Sequence, residues 1–479
     1  MSFVGLDLGT SSLKAIVIDD AQQVLAEHRV PLTVQRLHDG WSEQNPQSWC
    51  DATMQALRAL STQVDMGAVE GIGLAGHQHG ATLIGRDDMP LRPCMLWNDT
   101  RAHAEAARLD AMADFRRITG NIIFAGFTAP KVEWVRLNEP DVFGKTAKIL
   151  LPKDYLRLFL SGEHVSDMSD ASGKGWLDIG ARDWSDTLLA HCHLSRDHMP
   201  RLVEGSAVSA TLRKGLAAEL GMHPVPIAGG AGDNAAAAIG AGVVTDGTAF
   251  LSLGTSGVLF ASNASFRPHA ETAVHTFCHA VPDTWHQMGV ILAATDALEW
   301  LAGLTGQTAA TLTADLGDVT APQRTLFLPY LGGERTPIND PRIRGQFLHL
   351  DHATDARAAA RSVLQGVCFA FADCRDALAA TGTQIEQALA LGGGSQSAHW
   401  LSMMASTLGI TLQVPRAGDY GAALGAARLG MMAATGGAVT DIATPPPVDR
   451  EHAPDPALKD AMADGHARYR AAYQALKNL

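Results

Sequence analysis

The tetrapeptide Leu-Gly-Thr-Ser occurs twice in this chain, at residues 8–11 and 253–256, and each copy sits between two β-like runs. The first lies within VGLDLGTSSLKAIVID (4–19), the second within FLSLGTSGVLFAS (250–262). An ordinary hairpin turn is satisfied by Asn-Gly or Asp-Gly; these turns offer hydroxyls and bare backbone instead. With 479 residues the chain is too long for one hydrophobic core. A strand-turn-strand unit that recurs half a chain later therefore predicts two domains of related topology, each presenting its small-residue turn to a common cleft.

The rest of the chain supplies the elements such domains need. Three β-like runs, 3–8, 13–19 and 24–30, are expected to form an antiparallel meander, and Asn45-Pro46 provides an N-cap and an N1 proline for a helix to about residue 60. Strands are expected again at 71–76 and 81–85, which makes the first domain mixed α/β. VPIAGGAGDNAAAAIGAGVVT (225–245) reads as a short strand, a Gly-rich turn and an Ala-rich helix that opens at Asp233 and Asn234. The same order recurs in LALGGGSQSAHWLSMMAS (389–406). ATPPPVD (443–449) reads as an ordered linker to a final helix of roughly two dozen residues.

Composition narrows the function classes. Hydrophobic residues make up 46% and charged residues 18%, a balance that suits a packed enzyme and not a disordered chain. A net charge of −13 repels polyanions, so nucleic acid and anionic membrane surfaces are not expected partners. No run is long and apolar enough to span a bilayer, and Met1–Gly9 has no basic region ahead of an apolar stretch. The six cysteines, scattered without paired spacing, fit reduced thiols. A cytoplasmic protein is the expectation.

Two small-residue hairpins facing each other could clamp the β- and γ-phosphates of a nucleotide through backbone N–H groups and hydroxyls. Asp7, on the strand before the first turn, would then need Mg²⁺ between its carboxylate and the phosphates. Plain β-turns are the competing reading. There is no G-x-x-x-x-G-K-[ST] sequence, so the phosphate device is not a P-loop. Asp233 serves as a helix cap, as a general base aimed into the cleft, or as both. Gly230, Gly232 and Ala235 also match G-x-G-x-x-A, which leaves a dinucleotide-binding turn open, with Asp246 as the only candidate acidic partner. His77 and His79, two apart, are more readily hydrogen-bonding groups than metal ligands, since no third ligand is evident. Gln78 and His79 suit the hydroxyls of a polyol. LGGGSQS (391–397) brings backbone close to a flat ligand such as adenine, or is simply a tight connection.

These residues carry a recognisable pattern. GLDLGTSSLKAIVID resembles the first phosphate motif of the actin-hexokinase-Hsp70 superfamily, FLSLGTSGV its second and ALGGGSQS its adenosine motif. Over essentially its full length the chain resembles the FGGY family of carbohydrate kinases, whose signature is similar to GFTAPKVEWV (126–135), with Lys131 and Trp134 in the expected places. GWSEQNPQSW, GHQHGATL, LWNDTR, LPKDYLRL, SDMSDASG, GGAGDNAAAA and FLPYLGGERTP resemble the family's xylulose-phosphorylating branch.

The resemblance implies an α/β fold of two ribonuclease-H-like domains, of the actin/hexokinase type, flanking a deep interdomain cleft. Residues 1–245 would carry the sugar site and the base, and 246–479 would bind nucleotide and end in a helical tail from about residue 440. It implies ATP and Mg²⁺ between the domains, D-xylulose mainly against the first, phosphorylation of the sugar's 5-hydroxyl, and a homodimer. By position, Asp233 matches the catalytic base and Asp7 the magnesium aspartate. Thr10, Ser11, Gly254 and Thr255 match phosphate contacts, and Gly393 and Gly394 the nucleotide-binding glycines. Gln78, His79, Asp233 and Asn234 match sugar contacts, although many members carry Met where this chain has Gln78.

Overall fold

The computed structural model describes residues 1–416 and 421–478. Its first sheet grows from the meander β1 (Ser2–Leu8), β2 (Ser12–Asp19) and β3 (Val24–Pro31), paired antiparallel in that order. β4 (Val69–Gly76) then adds parallel to β1. On its far side lie β5 (Val208–Thr211), β6 (Pro226–Ala228) and the short β7 (Ala231–Gly232), giving the order β5-β6-β4-β1-β2-β3 with β7 also on β4. β1 and β4 are buried on both faces of the sheet, and the Asn45-capped α1 (Pro46–Leu60) packs on β2 and β3 beside them.

The second sheet repeats this plan. β8 (Ala249–Leu253), β9 (Gly257–Asn263), β10 (His275–Cys278), β11 (Trp285–Ile291), β12 (Gln387–Leu391), β13 (Thr411–Pro415) and β14 (Val448–His452) lie in the order β10-β11-β9-β8-β12-β13-β14. In both sheets the strand before the Gly-Thr-Ser turn is central, with its hairpin partner on one side and a parallel strand on the other. In both, an antiparallel strand closes the far edge. The duplication read from two tetrapeptides is thus a duplication of topology.

Four helices matter for the site: α2 (Pro152–Ser161), α3 (Asp233–Gly240), α4 (Thr295–Thr305) and α5 (Ala422–Thr435). α5 follows the last parallel strand of the second sheet yet packs on β4 and β1 of the first, and against α3. One buried cluster joins residues of both halves, from Ala81, Phe127 and Trp176 to Phe250, Phe277 and Leu389.

Three expectations change. The run 81–85 shortens to Thr82–Ile84 and pairs with Lys148–Leu150 outside the main sheet, because the backbone at His79 turns left-handed (φ 69°) and carries the chain away. The final stretch is not one long helix: Pro445–Pro447 feed the edge strand β14, and Pro454 and Pro456 delay the terminal helix to Lys459–Leu476. The dinucleotide reading fails, since α3 leads to β8, which opens the other sheet, and no second parallel strand completes a βαβ unit. Asp246 instead accepts the Ala264 N–H at 2.9 Å.

Candidate active site

Register places the candidate residues together. Leu8, Gly76 and Gly232 are side-by-side partners at the carboxyl ends of β1, β4 and β7. The chain leaves those three ends as Gly9–Ser11, His77–His79 and Asp233. Ligands of open α/β sheets bind where parallel strands end. In the second sheet the equivalent ends, Leu253 and Leu391, release Gly254–Thr255 and the turn Gly393–Gln396.

Each hairpin is held by the half that carries it. The Thr10 carbonyl accepts from Gln44 Nε2 (2.7 Å) and its hydroxyl from Trp97 Nε1 (2.9 Å), while Ser11 stays exposed. In the second hairpin Gly254 O accepts from Thr295 N (2.9 Å) and Thr295 Oγ1 (2.8 Å), and Thr255 O from Ala294 N (2.8 Å). The carbonyls are thereby tied to the start of α4, and the Thr255 side is left exposed. Gly392 (φ 86°) crosses the end of β8 so closely that a Cβ would lie 2.7 Å from Leu253 O. Gly394 would place one 2.8 Å from Leu253 Cβ, whereas Gly393 faces open space.

A cavity of about 390 Å³ opens between the halves. Asn234 and Ala237 of α3 form one wall, and Phe250, Ser252, Leu391, Gly392, Ser395, Gln396 and Arg416 the other. Asn234, matched to the sugar by position, therefore lines the cavity between the halves, and it also donates to Asp233 Oδ1 through N (2.7 Å) and Nδ2 (3.1 Å). Ser395, Gln396 and Arg416 were not foreseen. The first two lie inside the quoted adenosine motif, but nothing in the spacing separates wall from support.

Asp7 and Asp233 are largely enclosed yet keep an opening onto the cleft. Burial pushes both carboxyls up to about 6. The Asp233 charge raises Asp7 further, Lys14 and Arg29 pull it back, and the two Asn234 hydrogen bonds restrain Asp233. Among the described residues no lysine or arginine pairs with either carboxylate. Two adjacent, dehydrated carboxylates with no ion pair among the described residues fit a hard divalent cation, which takes oxygen ligands from one or two acids and the remainder from phosphates and water. Asp7, beside the phosphate turn, is the residue that would hold it.

The imidazole end is built differently. His79 Nδ1 meets Gly173 O at 2.8 Å, its ring stacks on Phe127 at 4.7 Å, and burial drives its pKa down to about 3, so it is a neutral hydrogen-bonding group. Its carbonyl accepts from Thr128 Oγ1 (3.0 Å) and Lys131 Nζ (3.1 Å), so the TAPK stretch positions His79 from behind. Gln78 is 6% exposed, and its Nε2 donates to Ser169 O at 3.0 Å. A Cβ at Gly232 would collide with that amide at 2.6 Å. The Gln78 side chain thus packs against the backbone just ahead of Asp233. Its ring neighbour His77 turns the other way, onto Trp49 at 6.0 Å, so the two histidines do not converge on a metal.

Beneath these groups lies a fully buried charge network. Lys153 Nζ of α2 meets Asp154 (2.9 Å), Asp167 (2.9 Å) and Asp170 (3.4 Å), and Ser169 Oγ donates to Asp167 and accepts from Gly232 N (3.1 Å). The motifs LPKDYLRL and SDMSDASG are the two halves of this support.

Comparison with known proteins decides the family. The model of the FGGY family of carbohydrate kinases, N-terminal domain, matches residues 2–240, and that of its C-terminal domain matches 249–434. The chain belongs to the FGGY family of carbohydrate kinases. It is 44% identical to a xylulose kinase of Escherichia coli (strain K12) over 482 aligned residues, covering 100% of this chain and 99% of that one. It is 46% identical to a xylulose kinase of Klebsiella pneumoniae, covering 95% and 94%. A solved "xyloylose kinase" from Brucella ovis superimposes with a TM-score of 0.98 at 52% identity over 100% of both chains. A xylulose kinase from Rhodospirillum rubrum gives 0.93 at 28% identity, covering 100% and 99%.

The protein is accordingly a sugar kinase of the actin-hexokinase-type fold. In this FGGY kinase the base candidate, the imidazole end and the first Gly-Thr-Ser turn come from one half, and the second turn and most of the cavity wall from the other. Among the described residues no helix is long and apolar enough to cross a membrane.

Proposed function

We propose that this FGGY kinase transfers the γ-phosphoryl group of ATP to the 5-hydroxyl of D-xylulose, with Asp233 as the general base. The carrying observation is Asp233 itself. It begins α3 at a strand end in register with Leu8 and Gly76, half-open to the cleft, with its pKa raised by burial to about 6. A base is most effective when its pKa lies close to the working pH. The names of the relatives support the sugar, and neutral His79 supports a polyol partner at the other end.

In this reading Asp233 accepts the O5 proton as the O5–P bond forms and the bond from the γ-phosphorus to the bridging oxygen breaks. ADP leaves with that electron pair. Asn234 holds the Asp233 carboxylate in its ionised, outward orientation. The Gly9–Ser11 and Gly254–Thr255 turns supply N–H and hydroxyl donors to the phosphates from opposite sides, and Gly392–Gln396 carries the nucleoside. Mg²⁺, when bound through Asp7, neutralises phosphate charge. Positioning and charge stabilisation provide most of the acceleration in such transfers. In domain terms, residues 1–245 furnish sugar contacts and base, and 246–479 the nucleotide.

Coupled measurement of ADP release over a panel of D-xylulose, ribulose, pentitols and glycerol tests this. Sugar-dependent ADP with the highest kcat/KM on D-xylulose is expected. A preference for another sugar would redirect the substrate, and slow hydrolysis indifferent to every sugar would overturn the reading.

A further inference from the structure

FLPYLGGERTP (327–337) takes no part in the roles above, yet from the second half it touches the first. Its backbone is clamped on both sides of Arg335. The Glu334 carboxylate accepts the N–H groups of Leu292 (3.0 Å) and Arg335 (2.7 Å). Thr336 N donates to Val290 O (3.0 Å), and Thr336 Oγ1 accepts from Val290 N (3.0 Å) and donates to Ala273 O (3.1 Å). So pinned, Arg335 lays its guanidinium 3.8 Å above the ring of Phe124, a residue of the first half.

That ring is part of the wall at the imidazole end. Phe124 meets Phe127 edge-on at 5.8 Å and His275 at 5.3 Å, and Phe127 is the ring on which His79 stacks. Among the described residues the guanidinium makes no hydrogen bond and no ion pair. Burial pulls its pKa down to about 10, a sign of lost water. A guanidinium has five donors and no acceptor, and a partly dehydrated one without oxygen partners is unfavourable. The arrangement is that of a cation held ready for an oxygen-rich ligand.

Two ligand groups in this cleft carry such oxygens, the phosphates and the sugar. The Arg335 charge acts on His79 and His275, whereas the charges acting on Asp7, beside the phosphate turn, are Asp233, Lys14 and Arg29. Arg335 therefore stands at the sugar end. We propose that Arg335 is a substrate-contacting specificity residue, its fork donating to the O1 and O2 oxygens of the ketose, at the end opposite the hydroxyl that Asp233 deprotonates. This rests on the proposed ketose kinase activity. It also gives the second half a direct hold on the sugar, because Arg335 and Phe124 come from different halves.

The test is a kinetic cycle on the wild type, Arg335→Met and Arg335→Lys, each with D-xylulose and with the same ketose lacking the C1 oxygen. Hydrogen bonds to a charged donor support a loss of about 10- to 100-fold in kcat/KM for D-xylulose on Arg335→Met, carried by the sugar KM, with the ATP KM held within about twofold. Wild type should lose about 10-fold on the deoxy sugar and Arg335→Met less than about twofold, since the partner is already gone. Arg335→Lys, which keeps charge without the fork, should fall between and serves if the Met variant fails to fold. A defect carried by the ATP KM, equal sensitivity of both enzymes to deoxygenation, or unchanged kinetics would each overturn the assignment. A wild type inactive on every ketopentose would remove the proposed function as well, whereas an active wild type with an indifferent Arg335→Met removes only this inference.

Discussion

Asp7 and Asp233 are held protonated by burial up to about pH 6, and the unfolded chain releases such protons near 3.8. Their favourable contribution to folding is therefore complete below about 3.8 and is lost as pH rises through about 6, the reverse of an ion-paired carboxylate. Asp233→Asn should raise the melting temperature at pH 7.5, by a free energy on the order of 2 kcal/mol, and the gain should vanish at pH 4. A melting curve that moves equally at both pH values would refute that origin. The same substitution should lower kcat by about 10²- to 10⁴-fold, the usual worth of a general base. In the wild type, kcat/KM for the sugar should fall as pH drops through about 6, because Asp233 must be ionised to take the proton. An acid limb that persists unchanged in Asp233→Asn would assign the titration elsewhere.

At the scale of elements, α5 rests on the first sheet through glycine contacts at backbone distance. A Cβ at Gly73 of β4 would lie 1.7 Å from Ala426 O, one at Gly5 of β1 2.1 Å from Ala423 O, and one at Gly425 of α5 1.8 Å from Ala236 O of α3. None of these neighbours is a flexible side-chain end, so the clash must be relieved by moving the helix. Gly73→Ala should cost about 3 kcal/mol or more, read as a lower urea midpoint. Gly303 gives the contrast: it lies in α4 with nothing within 4 Å of a Cβ. Gly303→Ala should stabilise by about 0.5–1 kcal/mol. Equal effects at the two positions would mean that the seam is looser than its geometry. Because β4 ends at Gly76 beside Gly232, a shifted α5 would also disturb the strand end that leads into Asp233, the proposed base.

For the whole molecule, the cavity wall, the two Gly-Thr-Ser turns and the imidazole end are divided between two halves that share one buried cluster and the bridging helix α5. A base exposed beside ATP could activate water, and assembling the site only when sugar is present avoids this. Small-angle scattering should show a smaller radius of gyration with D-xylulose and a non-hydrolysable ATP analogue together than with either alone. No compaction under joint saturation would exclude closure as the means of excluding water.

The local chemistry of this protein was readable from the chain alone. Strand periodicity, the Asn45-Pro46 cap, the Gly-rich turns and the repeated Gly-Thr-Ser foretold the meander, α1, α3 and the duplication, because each depends on residues within a few positions of one another. Partnership across the fold was not readable. Gln78 meets Ser169, Phe124 meets Arg335, and Gly73 meets Ala426 only after strand register and helix packing have chosen which distant segments touch. Hence Asp233 and the two Gly-Thr-Ser turns could be picked from sequence as residues at strand ends. That the Gln78 amide is tied to Ser169, that Asn234 lines the cavity between the halves, and that a cation from the second half lies over Phe124 were decided by tertiary structure, since spacing along a chain carries no record of which strand ends lie side by side.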